Sequence, residues 1–296
     1  MELKHYLAEN NEILERELDL TLAAIPYENV IKEGMRYAIL NGGKRIRPNL
    51  LFLTLRLLGK PMEAGIPTAM GIEMIHGYSL VHDDLPAIDN DDYRRGKLTT
   101  HKKFGEAQGI LVGDALLTFA FQVLSERNKD LLTPEQTVRI IAKTADYAGI
   151  GGMLSGQIVD IEGEGRKIDL SELQFMHAYK TGRLLKLPVE CGAIIGDASG
   201  REYEALEQYA EALGLAFQIK DDILDVEGDF EKLGKPIGSD AGLGKSTYPS
   251  IIGMDESKRL LRETVERAKA ALADEFGGPE AELMLELADF VGSREK

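Results

Sequence analysis

The chain has 296 residues, 35 basic against 50 acidic side chains, and a formal net charge of −15. That balance argues against nucleic acid, which needs a basic face. It leaves room for phosphate substrates held through metal ions. Apolar residues make up 44%, enough for a large core, and no apolar run approaches the roughly 18 residues of a membrane span.

The single cysteine, Cys191, excludes an internal disulfide framework and fits a reducing, cytoplasmic setting. Its apolar neighbours predict a buried small hydrophobe, not a catalytic thiol. The start, MELKHYLAENNEILERELD, is charged and helical and lacks a signal peptide's apolar segment.

Periodicity is helical nearly throughout, with no convincing alternating strand, which predicts an all-α protein. The expected helices are 3–22, 27–41, 48–58, 63–86, 104–127, 134–160, 171–195, 200–228, 255–274 and 280–291. Thr133-Pro134 with Gln136, and Ser199 with Glu202, carry capping-box spacing. Pro188 lies inside a helical pattern and is expected to kink or break it. No linker or composition shift divides the chain, so 1–296 reads as a single helical domain.

GGKRIRP, Gly42 to Pro48, joins the second and third helices and is expected to display Lys44, Arg45 and Arg47 together. Arginine forks suit phosphate oxygens, and lysine adds a point charge. A solvated basic loop is the alternative for that stretch alone. The next helix runs into IHGYSLVHDDLPAIDNDDYRRG, with Asp83, Asp84, Asp89, Asp91 and Asp92 inside ten residues, then Arg94 and Arg95. Carboxylates at a helix C-terminus oppose its dipole and call for a compensating cation. Mg²⁺, shared between carboxylates and substrate phosphates, supplies one; a solvated acidic turn is the alternative. His76 stands seven residues before Asp83, on about the same helix face.

Gly149-Ile150-Gly151-Gly152, with Gly156, reads as a close helix-packing surface. Lys180-Thr181-Gly182 sets an ammonium and a hydroxyl on another helix. QIKDDILD then repeats the aspartate pattern: Asp221 and Asp225 share a helix face with Gln218, like charges that weaken an isolated helix. Two such clusters, each in an otherwise apolar helix, suggest two jaws of one polynuclear metal site. The stretch from Leu233 to Thr247 ends like a nucleotide P-loop, but Ser239 replaces the required glycine and no strand precedes it. Lys235 and Lys245 remain candidate phosphate ligands.

With these segments in order, the chain resembles the trans-isoprenyl diphosphate synthases, particularly the bacterial short-chain farnesyl/geranylgeranyl type. GGKRIRP, DDLPAID with RRG, GDALL, KTG, FQIKDDILD and GKPIGSDAGLGKSTYP carry the resemblance, from about Tyr27 to Gly253. It implies a single polyprenyl synthetase domain, an all-helical bundle around a central cavity, normally a homodimer. It implies that Asp83, Asp84, Asp89, Asp221, Asp222 and Asp225 hold three Mg²⁺ ions on an allylic diphosphate, which Arg94, Lys180 and Lys235 also contact. Lys44, Arg47, His76 and Arg95 would bind isopentenyl diphosphate, and Thr181 and Gln218 would sit near the forming carbocation. A basic tail closes the site in several relatives; FVGSREK matches that feature weakly. The aromatic Tyr78, with Ser79 beside it, resembles the floor of a pocket that stops at fifteen carbons. The implied product is therefore farnesyl diphosphate, with geranylgeranyl diphosphate synthase or a class I terpene cyclase as the alternatives.

Overall fold

The structure, a computed structural model, describes residues 2–227 and 246–294. The helices are α1 (Leu3–Ala23), α2 (Val30–Ile39), α3 (Ile46–Leu57), α4 (Ile66–Asp83), α5 (Thr100–Phe104), α6 (Glu106–Glu126), α7 (Pro134–Ala148) and α8 (Met153–Gly163). They continue as α9 (Leu170–His177), α10 (Arg183–Ile195), α11 (Gly200–Glu227), α12 (Tyr248–Ile252), α13 (Met254–Ala273) and α14 (Pro279–Ser293). The chain divides into two compact units: residues 1–55 with 60–142, and residues 56–59 with 143–296.

In the first unit α4 is the core. It opens with Pro67 in its first turn, where a missing N–H costs nothing, and is apolar on nearly every side. Thirteen of its residues between Pro67 and Val81 are buried; a helix apolar all round must be enclosed. It packs mainly on α6 and also meets α1 and α2. A buried ion pair, Arg45 Nη1 to Glu73 Oε1 at 2.6 Å, ties the loop before α3 to the middle of α4. Arg45 also donates to the Ile39 carbonyl and to Glu15. The expectation that Arg45 is displayed with Lys44 and Arg47 is thus corrected: its side chain is 1% exposed, and its charge is taken up inside the unit.

A two-stranded antiparallel hairpin pairs β1 (Tyr93–Arg94) with β2 (Lys97–Leu98). Its turn residues, Arg95 and Gly96, both have positive φ, 53° and 76°. This is the turn whose twist matches paired strands. The sequence reading found no strand here, because two residues are too few to show an alternation.

In the second unit the long α11 packs on α13, α10 and α14. The predicted helix 134–160 is two helices, broken at Gly149–Gly152. A Cβ at Gly152 would lie 2.2 Å from the Tyr147 carbonyl oxygen of the backbone, so the turn requires glycine there. Pro188, expected to kink or break its helix, does not break it and lies inside an uninterrupted α10. Every residue from Leu184 to Ile195 is buried, and that packing outweighs the roughly 3 kcal/mol proline costs a helix interior. The interruption falls earlier, as a π turn at Ala178–Gly182 between α9 and α10. Both predicted capping boxes form. Thr133 N–H donates to Gln136 at 3.0 Å and Ser199 N–H to Glu202 at 2.7 Å. Cys191 is buried, and burial pushes its thiol well above the usual range.

α6 is long and apolar enough to cross a membrane by composition alone. It carries Asp114 mid-helix, and its Gly109, Val112, Gly113, Leu116 and Ala120 are buried.

Candidate active site

In the first unit, the end of α4 folds into a tight acidic turn. Asp89 N–H donates to the Asp83 carbonyl at 2.9 Å, bringing the third motif aspartate back to the first. Asp84, 3% exposed, receives the hairpin's Arg94: Nε lies 2.8 Å and Nη2 2.6 Å from Oδ1. Burial works against the charged Arg94, but the hydrogen bond and charge of Asp84 outweigh it and raise its pKa.

The neighbouring basic group assembles around α4. Gly43, at φ 131°, leaves no room for a Cβ, which would lie 2.7 Å from the Arg95 guanidinium. Arg95 Nη1 donates to the Gly42 carbonyl, so the glycine pair seats the hairpin's second arginine. His76 is half-buried; desolvation first, then the charges of Arg47, Arg95, Arg94 and Arg45, pull its pKa well below the usual value. The imidazole is therefore neutral at pH 7 and serves as a hydrogen-bonding group, not a cation. Lys44 is exposed and Arg47 half-buried. Tyr78 is buried, edge-on to His82 with centroids 5.8 Å apart; burial, then Asp83, pushes its phenol up to about 12. Ser79 spends its hydroxyl on the His76 carbonyl at 2.9 Å.

In the second unit, Lys180, Thr181, Gln218, Asp221 and Asp222 line a cavity of about 160 Å³. Gly156 is there because a Cβ would lie 2.1 Å from the Lys180 backbone nitrogen, the close packing expected of it. Two lining residues, Asp160 and His177, escaped the sequence reading. Asp160, a buried acid in the largely apolar α8, accepts from Lys180 Nζ at 2.5 Å. His177, one turn before Lys180, lies 3.9 Å from Asp222, and burial pushes its pKa down to about 4. An acid in an apolar stripe and a histidine three residues from the lysine were the available signals. Asp222 is buried and accepts from the Tyr248 N–H at 2.8 Å. Asp225 and Asp221 are half-buried on the same stripe of α11.

Arg294 just beyond α14 donates to Asp221 Oδ1 at 2.6 Å. Lys235 and Lys245 lie outside the described residues.

Among the described residues no three Asp, Glu, His or Cys side chains form a ready-made metal cage. The donor set is nevertheless the hard carboxylate one that Mg²⁺ selects. Each cluster already holds a guanidinium, Arg94 on Asp84 and Arg294 on Asp221. Positive charge is what these positions demand.

Residues 28–275 match the polyprenyl synthetase family model. The chain belongs to that family. It is 47% identical over 272 residues to the farnesyl diphosphate synthase of Geobacillus stearothermophilus, covering 92% of each chain. It is 40% identical over 295 residues to the farnesyl diphosphate synthase of Bacillus subtilis strain 168, covering 99% of this chain and 98% of that one. Among solved structures, an FPP/GFPP synthase from Zymomonas mobilis superposes with a TM-score of 0.87 at 35% identity, covering 98% of this chain and 99% of that one.

Proposed function

We propose that the chain is an elongating prenyltransferase. It joins isopentenyl diphosphate head-to-tail to dimethylallyl and then geranyl diphosphate, releases diphosphate, and makes farnesyl diphosphate. The family match and the farnesyl-forming relatives support the class. The observation that carries the two-substrate reading is the group formed by Arg47 on α3, Arg95 in the hairpin turn and neutral His76 on α4, the helix that runs into Asp83 and Asp84. A terpene cyclase ionises one diphosphate substrate and needs no second basic pocket.

In this reading Lys44, Arg47, His76 and Arg95 hold isopentenyl diphosphate. Arg94, Lys180 and Lys235 hold the allylic diphosphate, and Lys245 is a further phosphate ligand. Asp83, Asp84, Asp89, Asp221, Asp222 and Asp225 would hold Mg²⁺, three ions with substrate bound. When bound, the metal neutralises charge that develops on the leaving diphosphate. Arg94 and Lys180 do the same from fixed positions, since Asp84 and Asp160 already orient them. Thr181 and Gln218 face the allylic carbons as the C–O bond breaks, and the second substrate's alkene attacks. Water must be excluded, because it would trap the cation as an alcohol.

We also assign the two units to one polyprenyl synthetase domain, since a single family match runs across both. A homodimer is supported by exposed apolar side chains: Leu154, Ile158 and Ile161 at helical spacing along α8, Ile150 in the turn before it, and Ile110 and Leu111 on α6. A cytoplasmic setting is supported by the lone, buried, unpaired thiol.

The decisive experiment supplies radiolabelled isopentenyl diphosphate with and without dimethylallyl diphosphate, with and without Mg²⁺. Chromatography of the dephosphorylated products should show a fifteen-carbon alcohol only when all three are present. Cyclic hydrocarbon from geranyl or farnesyl diphosphate alone would establish the cyclase instead, and a twenty-carbon alcohol the geranylgeranyl enzyme.

A further inference from the structure

The geometry points to Arg294 as a positioning residue that acts as an internal counter-cation of Asp221, so that metal must compete with it for that carboxylate. This inference rests on the reading of Asp221 as a metal ligand.

Arg294 is no surface fringe. It is 7% exposed, its N–H donates to the Phe290 carbonyl at 2.9 Å, and its guanidinium lies 3.9 Å from the centre of the Phe217 ring. One nitrogen, Nη2, donates to the Phe217 carbonyl at 2.9 Å and to Asp221 Oδ1 at 2.6 Å. Phe217 and Asp221 are one turn apart on α11, so the guanidinium spans that turn as a clip. Burying a guanidinium is costly unless a carboxylate answers it, and here Asp221 does.

The grip is also incomplete. Arg294 Nε is buried without a hydrogen-bond partner among the described residues. The guanidinium is therefore held to the carboxylate at one corner, while the Asp221 side chain stays 43% exposed. Such a contact steadies a repelling cluster of Asp221, Asp222 and Asp225 and can still be exchanged for a divalent ion. Asp222 does not share this arrangement: it is committed to the Tyr248 N–H.

The test uses the full chain without substrate, with Mn²⁺ as a spin-active probe. Arg294→Gln should bind Mn²⁺ about tenfold more tightly, the scale of one charge-assisted hydrogen bond. Its melting temperature should fall in metal-free buffer and recover at saturating Mn²⁺. Arg294→Lys, which keeps the charge and loses the fork, should lie between. In an Asp221→Asn background, which should itself weaken Mn²⁺ binding, Arg294→Gln should change the affinity no further. Should Arg294→Gln fail to fold, Phe217→Leu removes the ring under the guanidinium and should shift Mn²⁺ affinity in the same direction. Mn²⁺ affinity within twofold of the parent in the folded variant overturns the inference while leaving the metal reading intact. Unchanged Mn²⁺ binding in Asp221→Asn overturns both.

Discussion

The two aspartate clusters reach the same chemical condition by different routes. At the first, the neutralising cation is local: Arg94 lies ten residues beyond Asp84, and the tight turn closed by the Asp89 N–H on the Asp83 carbonyl brings the chain back to the carboxylate. At the second, the cation arrives from 73 residues away, just past the end of α14. The first also differs in depth. The Asp84 side chain is 4% exposed and held by two arginine nitrogens, whereas Asp221 is 43% exposed and held by one. A buried, doubly held carboxylate is a structural commitment as well as a ligand. A half-buried one gripped by a single arginine nitrogen is poised for exchange.

The largest expected effect removes a ligand from either side. Asp83→Ala or Asp221→Ala should lower turnover by orders of magnitude with the fold retained, as judged by circular dichroism. Near-normal Mg²⁺-dependent turnover at saturating metal in either variant would show that the two clusters are not equal partners.

Next comes the asymmetry itself. Arg94→Ala should raise the Michaelis constant for the allylic substrate about ten- to a hundredfold. It should also destabilise the protein by roughly 3 kcal/mol, because it removes the guanidinium that answers the buried Asp84; adding Asp84→Asn should restore most of that stability. Arg47→Ala should weaken isopentenyl diphosphate by a similar factor without the stability loss. Urea titrations and separate Michaelis constants check both halves. Equal shifts in both constants for both variants would remove the distinction between the pockets.

A smaller change in rate but a visible one in product is expected at Tyr78. The phenol is buried against His82 one turn before the acidic end of α4. One turn rises about 5.4 Å, close to an isoprene unit. Tyr78→Ala should lengthen the product by at least one unit with turnover preserved, read by chromatography of the alcohols. An unchanged fifteen-carbon product would place the floor elsewhere.

The smallest effect is on acid stability. His76 titrates below its unfolded value of about 6.5, through burial and the surrounding arginines. Between that value and its folded one, the unfolded chain binds a proton the native chain refuses. Stability should therefore fall as pH drops below about 6.5, by up to ~1.4 kcal/mol per pH unit from this group. His76→Gln should flatten that slope in denaturant melts at pH 5 to 7; an identical slope would mean that other groups carry the acid sensitivity.

Local chemistry made much of the molecule legible before any coordinates. The apolar run ending in Asp83-Asp84, the capping boxes at Thr133 and Ser199 and the buried Cys191 each depend on residues within a turn or two. Their physics is complete in a short window, and so are the order and spacing of the motifs that mark the family.

What needed the tertiary structure is where charges go. Lys44, Arg45 and Arg47 are alike in sequence, yet Arg45 turns inward because Glu73 and Glu15 wait for it. Asp160 finds Lys180 twenty residues on, and Asp221 finds Arg294 at the far end of the chain. Pro188 is tolerated because the packing of α10 outweighs its lost hydrogen bond. A charge is satisfied by whichever opposite charge the packed backbone brings within about 3 Å. Sequence spacing names the groups that need partners, but only the fold chooses between partners this far apart along the chain.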